Sequence, residues 1–420
     1  RIVIIVTLFA LCYAVDEIHE GGLDYGTIKD RDLSDWEAEG YMLLKETLLY
    51  IPEMQISVVC DAYEDRIKQA QDLIEERCGH RPAAEPEYSE VLTRSDIDAL
   101  IIATSWEHHV PAAIQAMKAG IPVGIEVGGV YSLEECWELV RTYEETKTPF
   151  MFMENCCYGR RELMALNMKE QGVFGDIVHC RGGYMHDLRS EVTRGKENRH
   201  YRLRNYLNRN TENYPTHELG PIARILDINH GNRMLTLTST ASISKGMNEY
   251  VRQHPDCDQS LLHARFAQGD VVNTVITCAG GETILLTLDT SLPRYYSRDF
   301  TVCGTKGMYE EKTDSVFLDG LYSLEEEFFW NKHWGNAKEY EEQYDHPIWK
   351  DFLKSEIKGG HGGMDYLVFR EFAQCIRDGR PCPIDVYDAA SWMCISVLSE
   401  QSIAMGGQPV AIPDLQTDGG

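Results

Sequence analysis

The stretch DWEAEGYMLLKETLLYIPEMQISVVCD, residues 35–61, decides how the chain folds. Within it, YMLLKETLLY (41–50) spaces its apolar residues as one face of a helix. ISVVC (56–60) is a short β-branched run, closed by Asp61. A helix followed by a strand that ends in an acid is the second half of a nucleotide-binding βαβ unit. In such a unit the acid lies about 20 residues beyond a glycine-rich turn and holds the ribose hydroxyls. Gly40 and Asp61 have that spacing. The two earlier glycine positions are instead Asp35 and Glu37, whose carboxylates repel a pyrophosphate and block its approach to the backbone. The stretch predicts the sheet of a nucleotide domain and leaves open whether the nucleotide still binds.

Upstream, RIVIIVTLFALCYAV (1–15) reads as the first strand of that sheet. The same residues also fit a signal peptide, with Arg1 before an apolar run and Cys12-Tyr13-Ala14 as cleavage context. Cysteine usage favours the strand and a cytoplasmic protein. Thirteen scattered cysteines with no C-x-x-C pair fit small buried thiols in a reducing compartment, with export as the alternative. The segment between RIVIIV and Gly40 is too long for an ordinary strand-to-helix turn. Either an insertion sits there or the N-terminal sequence is not the native one. The chain does not open on Met, which leaves room for a start further upstream.

Downstream, strands and helices alternate. EDRIKQAQDLIEERCG (64–79) is a polar helix, DIDALIIAT (96–104) a buried strand, and HVPAAIQAMKAG (109–120) a helix stopped by glycine. IPVGIEV (121–127) is a strand, SLEECWELVRTYEETK (132–147) a helix with a capping box, and PFMFMEN (149–155) a strand. This predicts a Rossmann-like, doubly wound parallel sheet over residues 1–155, of which 1–39 are atypical. Beyond it, RRELMALNMKEQG (160–172) is a helix, followed by DIVHCRGGY, MLTLTSTASI, VVNTVITCA, ETILLTLDT and DFTVCGT as successive strands. They predict an α+β domain over 156–420 with an open antiparallel sheet, closed by helices at 366–379 and 388–405. The acidic, aromatic stretch 320–350 reads as a surface excursion. At 420 residues, two domains are the simplest division.

A formal net charge of −27 excludes nucleic acid or an anionic membrane as the main partner, since both demand basic patches. No apolar run reaches the length of a membrane span. No metal is expected, because the His and acidic residues are spread over distant segments without a pair such as H-E-x-x-H.

Four later segments are more specific. IIATSWEHHVPAAIQAMKAGIPVGIEV (101–127) resembles the third- and fourth-strand region of the Gfo/Idh/MocA oxidoreductases. The segments at 153–189 (MENCCYG…MHDLR), 201–234 (YRLRNYL…GNRM) and 360–372 (GHGGMDYLVFREF) resemble the NAD-dependent glycoside hydrolase branch of that family, whose members are α-N-acetylgalactosaminidases. The resemblance spans residues 55–405 and omits the first 39. It implies tightly held NAD and a site between the two domains. The implied chemistry oxidises the sugar C3 hydroxyl, removes the acidified C2 hydrogen, expels the C1 substituent, adds water and returns the hydride. It implies a sugar or glycan end as the partner, and a homo-oligomer formed through the antiparallel sheet. Simple oxidoreductases of the family end the fourth strand in Glu-Lys-Pro; here the strand ends Glu126-Val127-Gly128, and the missing lysine favours the hydrolase branch. An ordinary sugar dehydrogenase and a non-catalytic family member are the alternatives.

By the same resemblance, Tyr184 and His186 of GGYMHDLR face the substrate, beside Asp187. Histidine and tyrosine suit the C2 proton if tuned; without the resemblance a structural Tyr–His–Asp network is the favoured reading of the cluster. NYPTHELGPIARILD predicts Thr216 as the cap of a helix ending near Asn229, with His217 in its first turn, where the positive helix end favours a neutral imidazole. Tyr214 and His217 match the substrate-contacting pair. Glu218 stands where relatives carry glycine, so the lip of the pocket differs. Arg202 matches a sugar-binding arginine, though by itself it reads as a surface charge in a long loop. GHGGMD adds His361 for proton transfer and Asp365 for substrate. Cofactor contacts are assigned to Gly40, Asp61, Ser105, Trp106, His109, Glu126, Glu154 and Asn155, with Glu154 positioning nicotinamide or substrate. Packing beneath helix 109–120 is the alternative for Trp106 and His109.

Overall fold

The computed structural model describes residues 2–8, 39–195, 201–321, 330–355 and 359–416. Asp35, Glu37 and residues 9–15 of the expected first strand lie outside them. The first sheet is built from β1 (Ile2–Leu8), β2 (Met54–Cys60), β3 (Ala83–Glu85), β4 (Ala99–Ala103), β5 (Val123–Ile125) and β6 (Phe150–Phe152). Every pairing in it is parallel, in the order β3-β2-β1-β4-β5-β6. This is the strand order of a dinucleotide-binding fold. IVIIVTL (2–8) supplies the central strand, with Ile4 beside Ile56 on one side and Ala99 on the other. All five residues of β4 are buried, as expected of a parallel strand covered on both faces.

The connecting helices are α1 (Glu39–Glu46), α2 (Glu64–Cys78), the short α3 (Tyr88–Val91), α4 (Trp106–Lys118) and α5 (Leu133–Thr146). The expected capping box is present: Ser132 Oγ accepts from Glu135 N, and Glu135 reaches back to the Ser132 backbone. Helix α4 begins one turn earlier than its apolar spacing suggests, because Ser105 takes the cap position. Trp106 is therefore part of this helix, with His109, rather than in a loop before it.

After α6 (Arg160–Glu170), an eight-stranded sheet runs β13-β12-β11-β7-β10-β9-β8-β14. Its strands are β7 (Ile177–Met185), β8 (Met234–Ala241), β9 (Val271–Cys278), β10 (Thr283–Asp289), β11 (Thr301–Gly304), β12 (Gly307–Glu310), β13 (Ser315–Leu318) and β14 (Val410–Ala411). The expected antiparallel sheet is in fact mixed: β7 and β10 pair in parallel. The segment between β7 and β8 is the physical reason. It is long enough to carry α7 (Arg189–Thr193), α8 (Arg202–Asn208) and α9 (Thr216–Ile225), so the chain returns to the sheet at β8, with two strand positions left between it and β7. β9 alternates buried and exposed residues without a break, the signature of a sheet covered on one face.

Helix Val386–Ala404 covers that face and packs on β8, α5 and α9. Trp392, 1% exposed, sets its ring edge to Phe152 of β6 with centroids 6.2 Å apart. The helix thus seals the parallel sheet to the mixed one. The stretch 320–350 is not wholly a surface excursion: Asn336, Ala337, Asp345 and Trp349 are buried. Its acids serve as partners for α6, with Arg160 binding Asp345 and Arg161 binding Glu341.

Removing a fully buried tryptophan costs about 3–5 kcal/mol, and removing an N-cap hydroxyl about 1 kcal/mol. Urea unfolding of Trp392→Ala should show the larger loss and of Ser132→Ala the smaller. The reverse order would contradict the wedge role of the last helix.

Candidate active site

Ligands of an open parallel sheet lie beyond the carboxyl ends of its strands, where the strand order reverses. Here that place is between β1 and β4. Asp61 follows β2, is 1% exposed, and accepts from Tyr63 N at 2.8 Å. Gly40 is buried in the first turn of α1. Ser105 and Trp106 follow β4, Glu126 follows β5, and Glu154 and Asn155 follow β6. Ser105 Oγ lies 2.7 Å from His108 Nδ1, and Glu126 Oε2 accepts from Val127 N. His109 Nε2 donates to Thr104 O at 2.7 Å, and burial pushes its pKa down to about 4. That fixes a neutral, packed imidazole under the strand end, the packing alternative of the sequence reading. Trp106 Nε1 is a buried donor with no acceptor among the described residues. A buried donor at β4 and a carboxylate at β2 fit a ribose-bearing dinucleotide.

Glu154 is fully buried, and its Oε1 lies 2.8 Å from His217 Nδ1. Burial alone would raise this carboxyl. The charge and hydrogen bond of His217, with those of Thr216 and Cys156 N, outweigh it and hold Glu154 below the usual carboxylate range. An ionised carboxylate only accepts, so Nδ1 carries the hydrogen and Nε2 is left to take a proton. Glu154, expected to position cofactor or substrate, thus orients a histidine. α9 reaches this contact because residue 220 is glycine: a Cβ there would sit 2.9 Å from Glu154 Cγ and 3.0 Å from the Trp392 ring. The helix starts at Thr216 with Pro215 as its cap residue and ends at Ile225, so Thr216 is its first residue rather than its cap, and its end falls short of Asn229.

Tyr184 Oη stands 3.1 Å from His186 Nδ1. Burial, and then the Arg202 guanidinium, lower the His186 pKa, which keeps the ring neutral near pH 7. The Tyr184 ring lies 4.4 Å from Tyr214 and 5.4 Å from His217, and Tyr214 lies 4.7 Å from His217. Trp106 closes the cluster 5.4 Å from Tyr214. Arg202 lies over both rings, 5.0 Å from Trp106 and 5.2 Å from Tyr214. It is 4% exposed in α8 and ion-paired to Glu191 at 2.8 Å, so it is no surface charge in a loop.

Two expected members sit differently. Asp187 does not complete a Tyr–His–Asp chain; both of its oxygens accept from Arg189. His361 has a largely exposed side chain and positive φ (+47°), and it bonds Asp365 at 2.7 Å. Asp365 in turn accepts from Asn155 Nδ2 at 2.6 Å, which ties the GHGG turn to the residue after Glu154. The sequence reading missed Tyr296, whose ring lies 5.2 Å from His186, and Glu191. The doubled tyrosine of RYYSR (294–298) and the charge of Arg202, which needs a partner when buried, were the available signals. It also passed over Glu212, which burial pushes up to about 8. Glu218 is raised well above the carboxylate range by burial and then by Glu212 and Glu154. Glu154, Cys156 and His217 bring possible metal-ligand atoms within 4.8 Å of one another. The sulfur of Cys156 already faces Arg298 Nη1 at 2.9 Å, which sets a fixed cation against that position.

Residues 158–419 match the family model described as glycosyl hydrolase 109, C-terminal domain, and residues 37–153 that of the oxidoreductase family, NAD-binding Rossmann fold. A glycosyl hydrolase family 109 protein of Parabacteroides distasonis is 37% identical over 393 residues, covering 87% of this chain and 82% of its own. An alpha-N-acetylgalactosaminidase of Tannerella forsythia is 39% identical over 349 residues, covering 79% and 73%. Among solved structures, levoglucosan dehydrogenase in complex with NADH and levoglucosan superposes with a TM-score of 0.66 at 16% identity, over 98% of this chain and all of the other. Myo-inositol 2-dehydrogenase of Lactobacillus plantarum superposes with a TM-score of 0.64 at 14% identity, over 98% of this chain and 99% of the other. At such identities these two structures establish the fold alone. With the family model covering more than half of its length, the chain belongs to glycosyl hydrolase family 109, and its first sheet is that of an NAD-binding Rossmann domain.

Proposed function

We propose that the protein hydrolyses a terminal amino-sugar glycoside, with an α-linked N-acetylgalactosamine as the first substrate to test. The reading divides the chain as the sequence suggested, with residues 1–155 holding NAD and 156–420 shaping the sugar site. The observation that carries it is the pair of proton-handling couples, His217–Glu154 and His186–Tyr184, set side by side at the carboxyl end of the NAD-binding sheet. The name of the Tannerella relative supports the sugar.

Bound NAD supplies a reversible hydride acceptor, so the cycle begins with oxidation at sugar C3 and ends without net redox. His217 offers Nε2 to the C3 hydroxyl proton, with Glu154 balancing the charge that develops on the ring. Neutral His186 takes the C2 proton, acidified by the neighbouring ketone, and passes it to the C1 substituent, which leaves as an alcohol as the C1–C2 double bond forms. Water then adds across that bond, its hydroxyl to C1 and its proton by way of His186 to C2, and C3 regains the hydride it gave up together with the proton held by His217. Tyr214 and Arg202 hold the sugar hydroxyls; Arg202 is rigid because Glu191 fixes it. Asp61, Ser105, Trp106, Glu126 and Asn155 line the cofactor side, with Gly40 at the start of α1. Asp187 and Asp365 act through Arg189 and His361 as positioning residues.

The twelve described cysteines are free thiols, which supports a reducing, cytoplasmic setting. Among the described residues, no helix is long and apolar enough to cross a membrane. Exposed Val275 and Phe317 on the open face of the mixed sheet support a homo-oligomer formed there.

Heat-denatured protein, purified without added cofactor, should release NAD in stoichiometric amount. Turnover in heavy water should place deuterium at product C2 with no accumulation of reduced nicotinamide. Free oxidised sugar with accumulating NADH would instead identify a dehydrogenase.

His217→Ala should lower kcat by about 10²–10⁴-fold, the usual worth of a positioned acid–base group, while leaving the NAD content unchanged. Unchanged turnover removes this histidine from the mechanism.

His186 accepts a proton only above its pKa, so a lowered pKa places the acid limb of kcat/KM below the ordinary histidine value of about 6.5. Arg202→Gln removes the nearby positive charge, raises that pKa and should move the limb to higher pH. A limb that stays put would show that His186 is not the titrating base.

A further inference from the structure

We propose that the loop between β10 and β11 forms a second sugar subsite, which binds the part of the substrate beyond the scissile bond and takes a neutral oligosaccharide. This rests on the glycosidase reading and deepens it. Pro293, Arg294, Tyr295, Tyr296, Ser297 and Lys312 line an open cavity of about 610 Å³. Tyr296 joins this cavity to the proton-handling cluster: its ring stands edge-on to His186 at 5.2 Å and to Tyr184 at 6.4 Å. Tyr295, next to it, is 95% exposed. A large aromatic ring held in water one residue from a sugar site suits the apolar C–H face of a pyranose, which stacks on such rings.

The base of the loop is fixed. Ser297 and Met185 exchange backbone hydrogen bonds of 3.0 and 3.1 Å, and Gly183 N donates to Arg298 O at 2.6 Å, so the loop is tied to the end of β7, which carries Tyr184. Preorganised aromatic contacts lose little entropy on binding. The charges of the rim are already balanced. Arg294 is paired with Asp289. Lys312 Nζ lies 2.9 Å from Asp299, and Arg181 bridges Asp299 and Glu310. Among the described residues of this rim, no cation is left over to select a sialylated or sulfated chain, and no free carboxylate to select a basic peptide. A neutral glycan is the occupant that matches an aromatic platform with compensated charge. Its hydroxyls would meet Ser297 and the backbone of the loop.

The test compares two glycosides with the same α-linked terminal N-acetylgalactosamine: the methyl glycoside, and a linear trisaccharide in which the sugar caps a neutral disaccharide. Tyr295→Ala should lower kcat/KM for the trisaccharide about tenfold, through KM, the effect of losing about one aromatic contact. The methyl glycoside, too short to reach Tyr295, should be cleaved as before. Equal loss on both substrates, or loss on neither, overturns the proposal. Binding of the neutral disaccharide alone, followed by NMR saturation transfer, decides the subsite independently of catalysis. Contact with the wild-type protein that disappears in Tyr295→Ala supports it, and no contact with the wild type overturns it. If neither glycoside is cleaved by the wild type, the hydrolase reading has failed, and the disaccharide measurement still decides the subsite.

Discussion

The hydrogen bond from His217 to Glu154 joins the two sheets of the molecule, and the arrangement of the site follows from it. Glu154 ends the parallel sheet and is fully buried. A carboxylate out of water costs several kcal/mol unless charge and hydrogen bonds compensate it. Its compensation comes from Cys156 N beside it and from His217 and Thr216, the first turn of α9. The helix must therefore lie against the end of β6, and Gly220 removes the side chain that would hold it off. Tyr214, just before the helix, is carried to the same place. Trp392 closes the contact from behind. One hydrogen bond thus sets the distance between the end of the parallel sheet and the residues proposed to handle the sugar.

Electrostatics around that pair follow a consistent logic in a chain of net charge −27. The two cations nearest the cluster are each tied to one acid: Arg202 to Glu191, and Arg298 to Glu162 at 2.6 Å. Glu212 and Glu218 are left in a low-dielectric region, and burial shifts both toward the neutral form, Glu212 to about 8. Acids shifted that way weaken the negative field beside the cluster. Glu218 stands at a position beside Gly182 of β7, where a Cβ on residue 182 would meet the Glu218 Cβ at 2.5 Å. Glycine in the strand is the condition for an acid in the helix.

What the sequence disclosed followed from local pattern. Apolar runs marked ten of the strands and most helices, and the Ser132–Glu135 box fixed the start of α5 to the residue. Long motifs in order marked the site residues, five of which meet in one cluster: Tyr184, His186, Arg202, Tyr214 and His217. Pairing across distance was not legible. Nothing in PFMFMEN says that its acid faces a histidine 63 residues on, and nothing in HDLR says that Asp187 turns to Arg189 instead of His186. The parallel β7–β10 pairing was hidden for the same reason, since strand periodicity is blind to direction. His361 was read from its glycines, which permit close approach to a ligand; in the structure they carry a positive-φ turn that presents the ring to solvent.

The missing lysine of the fourth strand acquires a physical meaning in this arrangement. Simple oxidoreductases of the family place Glu-Lys-Pro there, whereas this chain places Glu126-Val127-Gly128. A Cβ on residue 128 would lie 2.5 Å from Trp106 Cδ1, so a side chain there is incompatible with the observed indole. The indole uses the vacated space to pack against Tyr201 at 4.9 Å and Tyr214 at 5.4 Å, and to support Arg202 from below. Val127 in the lysine position is buried and apolar. The exchange thus removes an ammonium that would assist hydride transfer at a single hydroxyl and replaces it with a rigid aromatic floor. Over that floor, in the proposed cycle, the proton traffic passes to His217 and His186, two groups on different elements that can serve two adjacent carbons. A dehydrogenase needs one such group, whereas an elimination that begins at C3 and continues at C2 needs two, and the Trp106–Gly128 contact is what holds the surrounding ring cluster still while both act.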